Sequence, residues 1–213
     1  MTDELVFYTN PMSRGRIVRW MLEEVGQPYR TEILEYAAMK SPEYRAVNPM
    51  GKVPAVRHGD VVVTEAAAIC AYLADAFPAA GLAPAPTDRL RGTYYRWMFF
   101  AAGPVEAAVT DKSLGFVPPA ERRGSVGYGT FEAVVDALES AVSGRRYIVG
   151  DSFTAADLYV GSHIGWGMQF GTIERRPAFE AYVGGIMSRP AAVRAREIDD
   201  TLLAEAKAKQ PAT

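Results

Sequence analysis

The feature that most restricts the fold of this chain is a change of hydrophobic period near Phe77. Before it, short β-type runs alternate with helical patterns; beyond it, strand patterns give way to helical ones. Leu5 to Tyr8 is a first strand-like run, ended by Asn10-Pro11. Ile17, Val18, Met21, Leu22 and Val25 then mark one face of a helix, with Ser13 expected as its N-cap and Gly26 as its stop. Pro28 to Leu34 reads as a second strand. Ser41-Pro42-Glu43 is a helix start, Ser capping and Pro at the first helical position. Val53 to Arg57 and Val61 to Val63 are joined around Gly59-Asp60, a connection short enough for an antiparallel hairpin. Thr64 is the expected cap of a third helix with Ala68, Ile69, Tyr72, Leu73 and Ala76 on its apolar face. The order βαβαββα predicts a parallel pairing covered by helices, with the hairpin as an antiparallel edge. This is a thioredoxin-like layer, so the fold class expected is an α/β N-terminal domain followed by an all-α domain.

Residues 78–86 hold three prolines and one glycine and read as an interdomain linker. The expected division is a domain over 1–78, a linker over 79–86 and a helical domain over 87–213. Helical patterns run roughly over 88–112, 120–143, 154–168, 177–188 and 191–206. Gly103-Pro104 should kink the first. Phe153-Thr154-Ala-Ala-Asp157-Leu158 combines a capping box, Thr at N-cap and Asp at N3, with a hydrophobic staple between Phe153 and Leu158. That pattern gives Asp157 a structural role; the competing reading is a catalytic carboxylate.

With 213 residues the chain can bury a core without staples. A net charge of −2 provides no broad basic face, which argues against a nucleic-acid partner. The single cysteine, Cys70, excludes an internal disulfide, a dithiol redox pair and a cysteine-based zinc site; with only His58 and His163, no metal site is expected. The N-terminal segment has no basic leader before a long apolar run, and no stretch reaches ~18 apolar residues. A cytoplasmic protein with no membrane partner is the expectation.

Val53-Pro54 opens a strand. A cis bond there would turn the Val53 N–H and C=O outward, where they can pair with an extended peptide-like ligand. The plainer alternative is a proline that starts an edge strand. Thr64-Glu65-Ala66 opens a helix whose free N–H groups attract a carboxylate, while Glu65 can hold an ammonium; together they suit an α-amino acid head group. Alternatively, Glu65 simply complements the helix dipole.

Three segments, Tyr8-Thr-Asn-Pro-Met-Ser-Arg-Gly-Arg16, Asn48-Pro-Met-Gly-Lys-Val-Pro54 and Thr64-Glu-Ala-Ala-Ala-Ile69, resemble the glutathione-binding elements of cytosolic glutathione transferases, of the bacterial type. Tyr147-Ile-Val-Gly-Asp-Ser-Phe-Thr-Ala-Ala-Asp157 resembles the same family's capping-box helix start. The resemblance implies a homodimer with glutathione as co-substrate, no other cofactor, and a small apolar electrophile as second substrate. It assigns Val53, with Pro54, to backbone pairing with the cysteinyl part, and Glu65 and Ala66 to the γ-glutamyl end. Lys52 falls beside the tripeptide, and Lys40 is a candidate for the glycyl carboxylate. Ala66 departs from the family's usual Ser or Thr, which removes one hydrogen bond worth ~0.5–1.5 kcal/mol.

The chemistry implied is thiolate activation: a donor aimed at the sulfur favours the anion, which then attacks the electrophile. Candidate donors are Ser13, then Asn10, which aligns with the family's hydroxyl position, then Tyr8 in the strand. Ser13 also has the plain reading of an N-cap. Cys70 reads as an inert buried thiol and His58 and His163 as structural or exposed. The aromatic run Tyr94 to Phe100 reads mainly as core, with part lining an apolar pocket. Arg14 and Arg16 are charges without an assigned partner. The same fold also serves glutathione-dependent isomerases, dehalogenases and peroxidases, and non-catalytic glutathione-binding modules, which stay as alternative functions.

Overall fold

The alternating half folds as a four-stranded mixed sheet in the order β2-β1-β3-β4. A computed structural model describes residues 4–208. The strands are β1 (Leu5–Thr9), β2 (Arg30–Ile33), β3 (Ala55–His58) and β4 (Val61–Thr64). β2 lies parallel to β1, β3 antiparallel to β1, and β4 antiparallel to β3, so the parallel pair and the hairpin edge both form as expected. The intervening helices are α1 (Gly15–Val25), α2 (Pro42–Val47) and α3 (Ala66–Ala76). Ile17, Val18, Met21 and Leu22 of α1 are almost fully buried. Burial of side chains of this size stabilises the unit by about 1.5–3 kcal/mol each.

Helix ends follow the local chemistry with two exceptions. α1 stops at Gly26, which is left-handed and returns its N–H to the Leu22 carbonyl. Ser41 caps α2 through its hydroxyl, which accepts from the Tyr44 N–H at 3.3 Å. The first exception is α1, whose N-cap position falls at Arg14 rather than Ser13; Ser13 sits one residue earlier and bonds the turn instead. The second is α3. Thr64 remains in β4, paired with Ala55, and the N-cap position passes to Glu65.

The chain divides into two compact units. The first runs to Ala80 and takes in the chain from Arg189 onward; the second is Gly81–Ser188. The last helix, α9 (Pro190–Ala208), therefore belongs with the sheet-bearing unit, where the sequence pattern had grouped it with the other helices of 87–213. The physical reason is its packing against α1. Arg19 of α1 and Asp199 of α9 are both about 1% exposed and pair at 3.2 Å. The Arg19 guanidinium also donates to the Tyr29 hydroxyl and to Thr31 Oγ1, and lies 5.0 Å from the Phe7 ring centre. Two further ion pairs join the two helices, Arg194–Glu23 and Arg16–Asp200, and Arg189, the residue just before α9, pairs with Glu24.

The second unit is built of α4 (Leu90–Phe100), α5 (Glu106–Ser113), α6 (Phe131–Val142), α7 (Ala155–Phe170) and α8 (Pro177–Met187), and contains no strand among the described residues. The expected break at Gly103-Pro104 is a π-helical stretch over Ala101–Val105, which takes in the proline. α7 is buried from Ala155 to Ile164 and forms the unit's axis. Its start carries the expected capping box. Asp157 accepts four hydrogen bonds: from the Thr154 N–H and hydroxyl, the Ile148 N–H and the Tyr182 hydroxyl, at 2.7–2.9 Å. Burial pushes its carboxyl pKa up, and these bonds oppose that shift. Phe153 and Leu158 of the staple are both buried. The structural reading of Asp157 thus holds.

Candidate functional site

Strand register brings three separated segments to one end of the sheet. Tyr8 pairs with Ala55, and Ala55 with Thr64. The chain leaving β1 (Asn10–Ser13), the chain entering β3 (Lys52–Pro54) and the start of α3 (Glu65, Ala66) therefore emerge together. β2 runs parallel to β1 and delivers the Leu34–Lys40 segment to the same end.

The loop after β1 is tied down from within. The Leu34 N–H donates to the Thr9 carbonyl, and Asn10 Nδ2 donates to the Leu34 carbonyl. Asn10 Oδ1 accepts from the Met12 N–H at 2.9 Å. The Ser13 hydroxyl donates to the Asn10 carbonyl at 2.7 Å and accepts from the Gly15 N–H at 3.0 Å. Asn10 is buried and Ser13 half-buried. Gly15 has to be glycine, because a Cβ there would fall 1.9 Å from the Thr9 hydroxyl oxygen. α1 thus starts directly against the end of β1. Tyr8 is half-buried, with its ring centre 5.8 Å from that of Tyr44. A hydrogen bond with Tyr8 is the main reason the Arg57 guanidinium holds its proton more tightly than usual.

The entry to β3 is held from the other side. The Lys52 carbonyl accepts from both the Tyr44 hydroxyl and Asn48 Nδ2, each at 2.7 Å. Asn48 Oδ1 takes the Met50 N–H. Gly51 is left-handed (φ 59°), and a Cβ on it would meet the Met39 carbonyl oxygen at 2.6 Å. The peptide leading into Val53 is fixed by these contacts. Val53 is half-buried and precedes the strand ladder, which begins at Ala55; its bond to the buried Pro54 is cis. Tyr44 and Asn48 had no role in the sequence reading beyond helix and turn signals. Asn48 stands inside one of the motif segments, which is the one signal that pointed to it.

Glu65 is the only described non-glycine residue with positive φ (67°). Such a conformation costs about 1–3 kcal/mol and persists where the surroundings impose it. The Glu65 side chain is exposed and makes no capping bond. Ala66 follows, buried, as the first residue of α3. The first-turn N–H groups of an α-helix lack intrahelical partners and favour negative charge. Lys40 and Lys52 are both exposed and have no ion-pair partner among the described residues.

These groups offer a ridge of backbone, a helix N-terminus next to a carboxylate, and two lysines. An extended ligand with an amino acid head and a second carboxylate has complementary chemistry. Cys70 lies in the buried part of α3, and burial pushes its thiol far above the ordinary value. It is not a reactive thiol. His58 is bound to the Tyr72 hydroxyl through Nδ1 at 2.8 Å, away from this end of the sheet. Among the described residues no cluster of His, Cys, Asp and Glu is suited to a metal ion, and no helix is long and apolar enough to cross a membrane.

Comparison with known proteins gives two family models on this chain: the glutathione S-transferase N-terminal domain over residues 12–76 and the glutathione S-transferase C-terminal domain over residues 129–190. A glutathione S-transferase-like protein of a Fusarium species is 31% identical over 166 residues, covering 73% of this chain and 74% of its own. A glutathione S-transferase of Xanthomonas campestris is 29% identical over 183 residues, covering 77% and 83%. Among solved structures, a sphingomonad glutathione S-transferase complexed with glutathione superposes with a TM-score of 0.74 at 28% identity, over 92% of this chain and 98% of that one. A glutathione transferase of Phanerochaete chrysosporium in complex with oxidized glutathione gives 0.76 at 27%, over 94% and 98%.

Proposed function

This chain belongs to the glutathione S-transferase family, and from that premise we propose that it binds glutathione at the open end of its sheet and conjugates the thiol to a small apolar electrophile. The observation that carries the reading is the convergence of Asn10–Ser13, Lys52–Pro54 and Glu65–Ala66, set by the Tyr8–Ala55–Thr64 register. The solved relatives that hold glutathione or its oxidised form support it.

In this mechanism the cysteinyl backbone of glutathione pairs with Val53 as an added strand pairs with a sheet edge. The γ-glutamyl carboxylate takes the free N–H groups at the start of α3, and Glu65 takes the ammonium. Lys52 flanks the tripeptide and Lys40 meets the glycyl carboxylate. The sulfur then faces the Asn10–Ser13 loop. A free cysteine thiol has a pKa of ~8.5; lowering it by ~2 units takes ~2.7 kcal/mol of differential stabilisation. Ser13 leads as the donor: its hydroxyl proton rests on the Asn10 carbonyl and can turn to the sulfur. Asn10 stands second, with one Nδ2 proton committed to Leu34 and one left over. Tyr8 stands third, since it lies in the strand and its ring packs on Tyr44.

The thiolate attacks the electrophilic carbon, the carbon–sulfur bond forms as the leaving group departs with its electron pair, and the proton has already passed to solvent. Glutathione is thus a co-substrate, and the step uses no further cofactor. A homodimer acting in the cytoplasm on reactive xenobiotic-type electrophiles accompanies this reading. The test is retention on glutathione–agarose combined with turnover of reduced glutathione and chlorodinitrobenzene. Retention with turnover is expected. Retention without turnover on a panel of halides, epoxides, peroxides and enones would replace the transferase by a binding module.

A further inference from the structure

Arg16 makes two bonds that link the loop after β1 to α9. Its Nε donates to the Pro11 carbonyl at 2.6 Å, inside the loop that follows β1. Its Nη1 donates to Asp200 Oδ1 at 2.8 Å, on α9. Arg16 and Arg19 stand three residues apart on α1 and so project from neighbouring positions on one face. Their partners, Asp199 and Asp200, are consecutive on α9. The two pairs differ in kind. Arg19–Asp199 is buried and anchors the helix; Arg16–Asp200 is solvent-exposed, with the Asp200 side chain 58% accessible. An exposed pair contributes little to stability, so folding does not account for it well. It ties to α9 the same guanidinium that bonds the Pro11 carbonyl. The loop therefore has an outer brace, in addition to the inner bonds made by Asn10 and Ser13.

We propose that Arg16, held by Asp200 of α9, is a positioning residue that fixes the Asn10–Ser13 loop for activation of the glutathione thiol. This rests on the proposed transferase function and adds to it a role for the last helix of the chain. Arg16 acts through the loop backbone: its bond to Pro11 fixes the peptide between the two leading candidate donors, Asn10 and Ser13. Without Asp200 the guanidinium loses one of its two anchors, the loop widens its range of positions, and the donor-to-sulfur distance is no longer held. Misplacement of a catalytic group on the scale of an ångström costs up to about a hundredfold in rate.

The experiment measures the pKa of enzyme-bound glutathione from thiolate absorbance against pH, together with kcat and KM, in the wild-type protein and in Asp200→Ala, Arg16→Ala and Arg194→Ala. Arg194→Ala is the control: it removes an α1–α9 ion pair, with Glu23, that does not reach the loop. Asp200→Ala should raise the bound thiol pKa and lower kcat about fivefold, with KM for glutathione changed less than twofold; Arg16→Ala should do the same and lower kcat about twentyfold, within the range for a misplaced group. Arg194→Ala should leave the thiol titration at its wild-type position. If Arg16→Ala fails to fold, Asp200→Ala decides alone, since Asp200 is exposed. A wild-type thiol titration in Asp200→Ala overturns the proposal, as does an equal shift in Arg194→Ala, which would make the effect one of general helix docking. A wild-type protein that binds no glutathione removes the transferase reading itself, and this inference with it.

Discussion

Two helix starts in this protein solve the same electrostatic problem in opposite ways. At the start of α7, Thr154 has ordinary extended geometry, and the Asp157 carboxylate collects four donors in a buried setting. Its polar groups are answered from within the unit. At the start of α3, Glu65 sits at positive φ, exposed, with no capping bond. No side chain caps the N–H groups of this helix N-terminus. One polar start is buried and satisfied and supports the fold; the other is strained and exposed. Asp157 and Glu65 are both carboxylates at a helix start, so residue type alone does not separate them. Geometry does.

The comparison breaks most visibly at Asp157. Asp157→Ala leaves the Ile148 and Thr154 N–H groups and the Tyr182 hydroxyl buried without their acceptor, and should cost about 3–5 kcal/mol in urea denaturation. Asp157→Asn should cost less, because one oxygen acceptor remains. In either variant, a stability change below about 1 kcal/mol would mean that the capping centre is not structural.

Ser13→Ala should give the reverse signature: turnover with glutathione falls about a hundredfold, equivalent to ~2.7 kcal/mol of barrier, while thermal stability moves little. An unchanged bound-thiol pKa in that variant would reject Ser13 and pass the role to Asn10.

Glu65 sharpens the contrast further. Glu65→Gly should relieve the strained backbone and raise stability by up to about 1 kcal/mol. The same change should weaken glutathione binding roughly tenfold by calorimetry, since a hydrogen bond to a charged group is worth about 1.5–3 kcal/mol. A variant that gained stability and kept its affinity would show that the exposed carboxylate is not part of the site.

The smallest effect concerns the α1 anchor. The Tyr29 hydroxyl donates to Glu23 and accepts from Arg19, and burial raises its pKa from the usual 10 to about 12. The folded state therefore favours the neutral phenol. Its contribution to stability is complete below pH 10 and is lost as pH rises toward about 12. Tyr29→Phe should flatten the stability decline measured across that window by denaturant titration. An unaltered decline would remove Tyr29 from the alkaline transition.

The sequence made much of this visible because the relevant rules are local. The hydrophobic period defined the sheet and α1, Ser41-Pro42 defined the start of α2, and Phe153 to Leu158 marked the capping box. Three features lay beyond local reading. Positive φ at Glu65 has no residue signature, so the sequence pattern places the cap one residue early, at Thr64. Ser13 has the composition of an N-cap, but its hydroxyl turns back to Asn10, and the cap position moves to Arg14. The pairing of Arg16 and Arg19 with Asp200 and Asp199 spans more than 170 residues, and nothing in periodicity joins charges at that separation. For that reason α9 read as one more helix of the second half, although it packs on α1.

The most direct test of the binding site is a crystal of the wild-type protein soaked in millimolar reduced glutathione. The account predicts an extended tripeptide antiparallel to the Val53 backbone, its amino acid head at Glu65–Ala66 and its sulfur against the Asn10–Ser13 loop. Density for glutathione elsewhere, or none at that end of the sheet while the protein still turns over substrate, would contradict it.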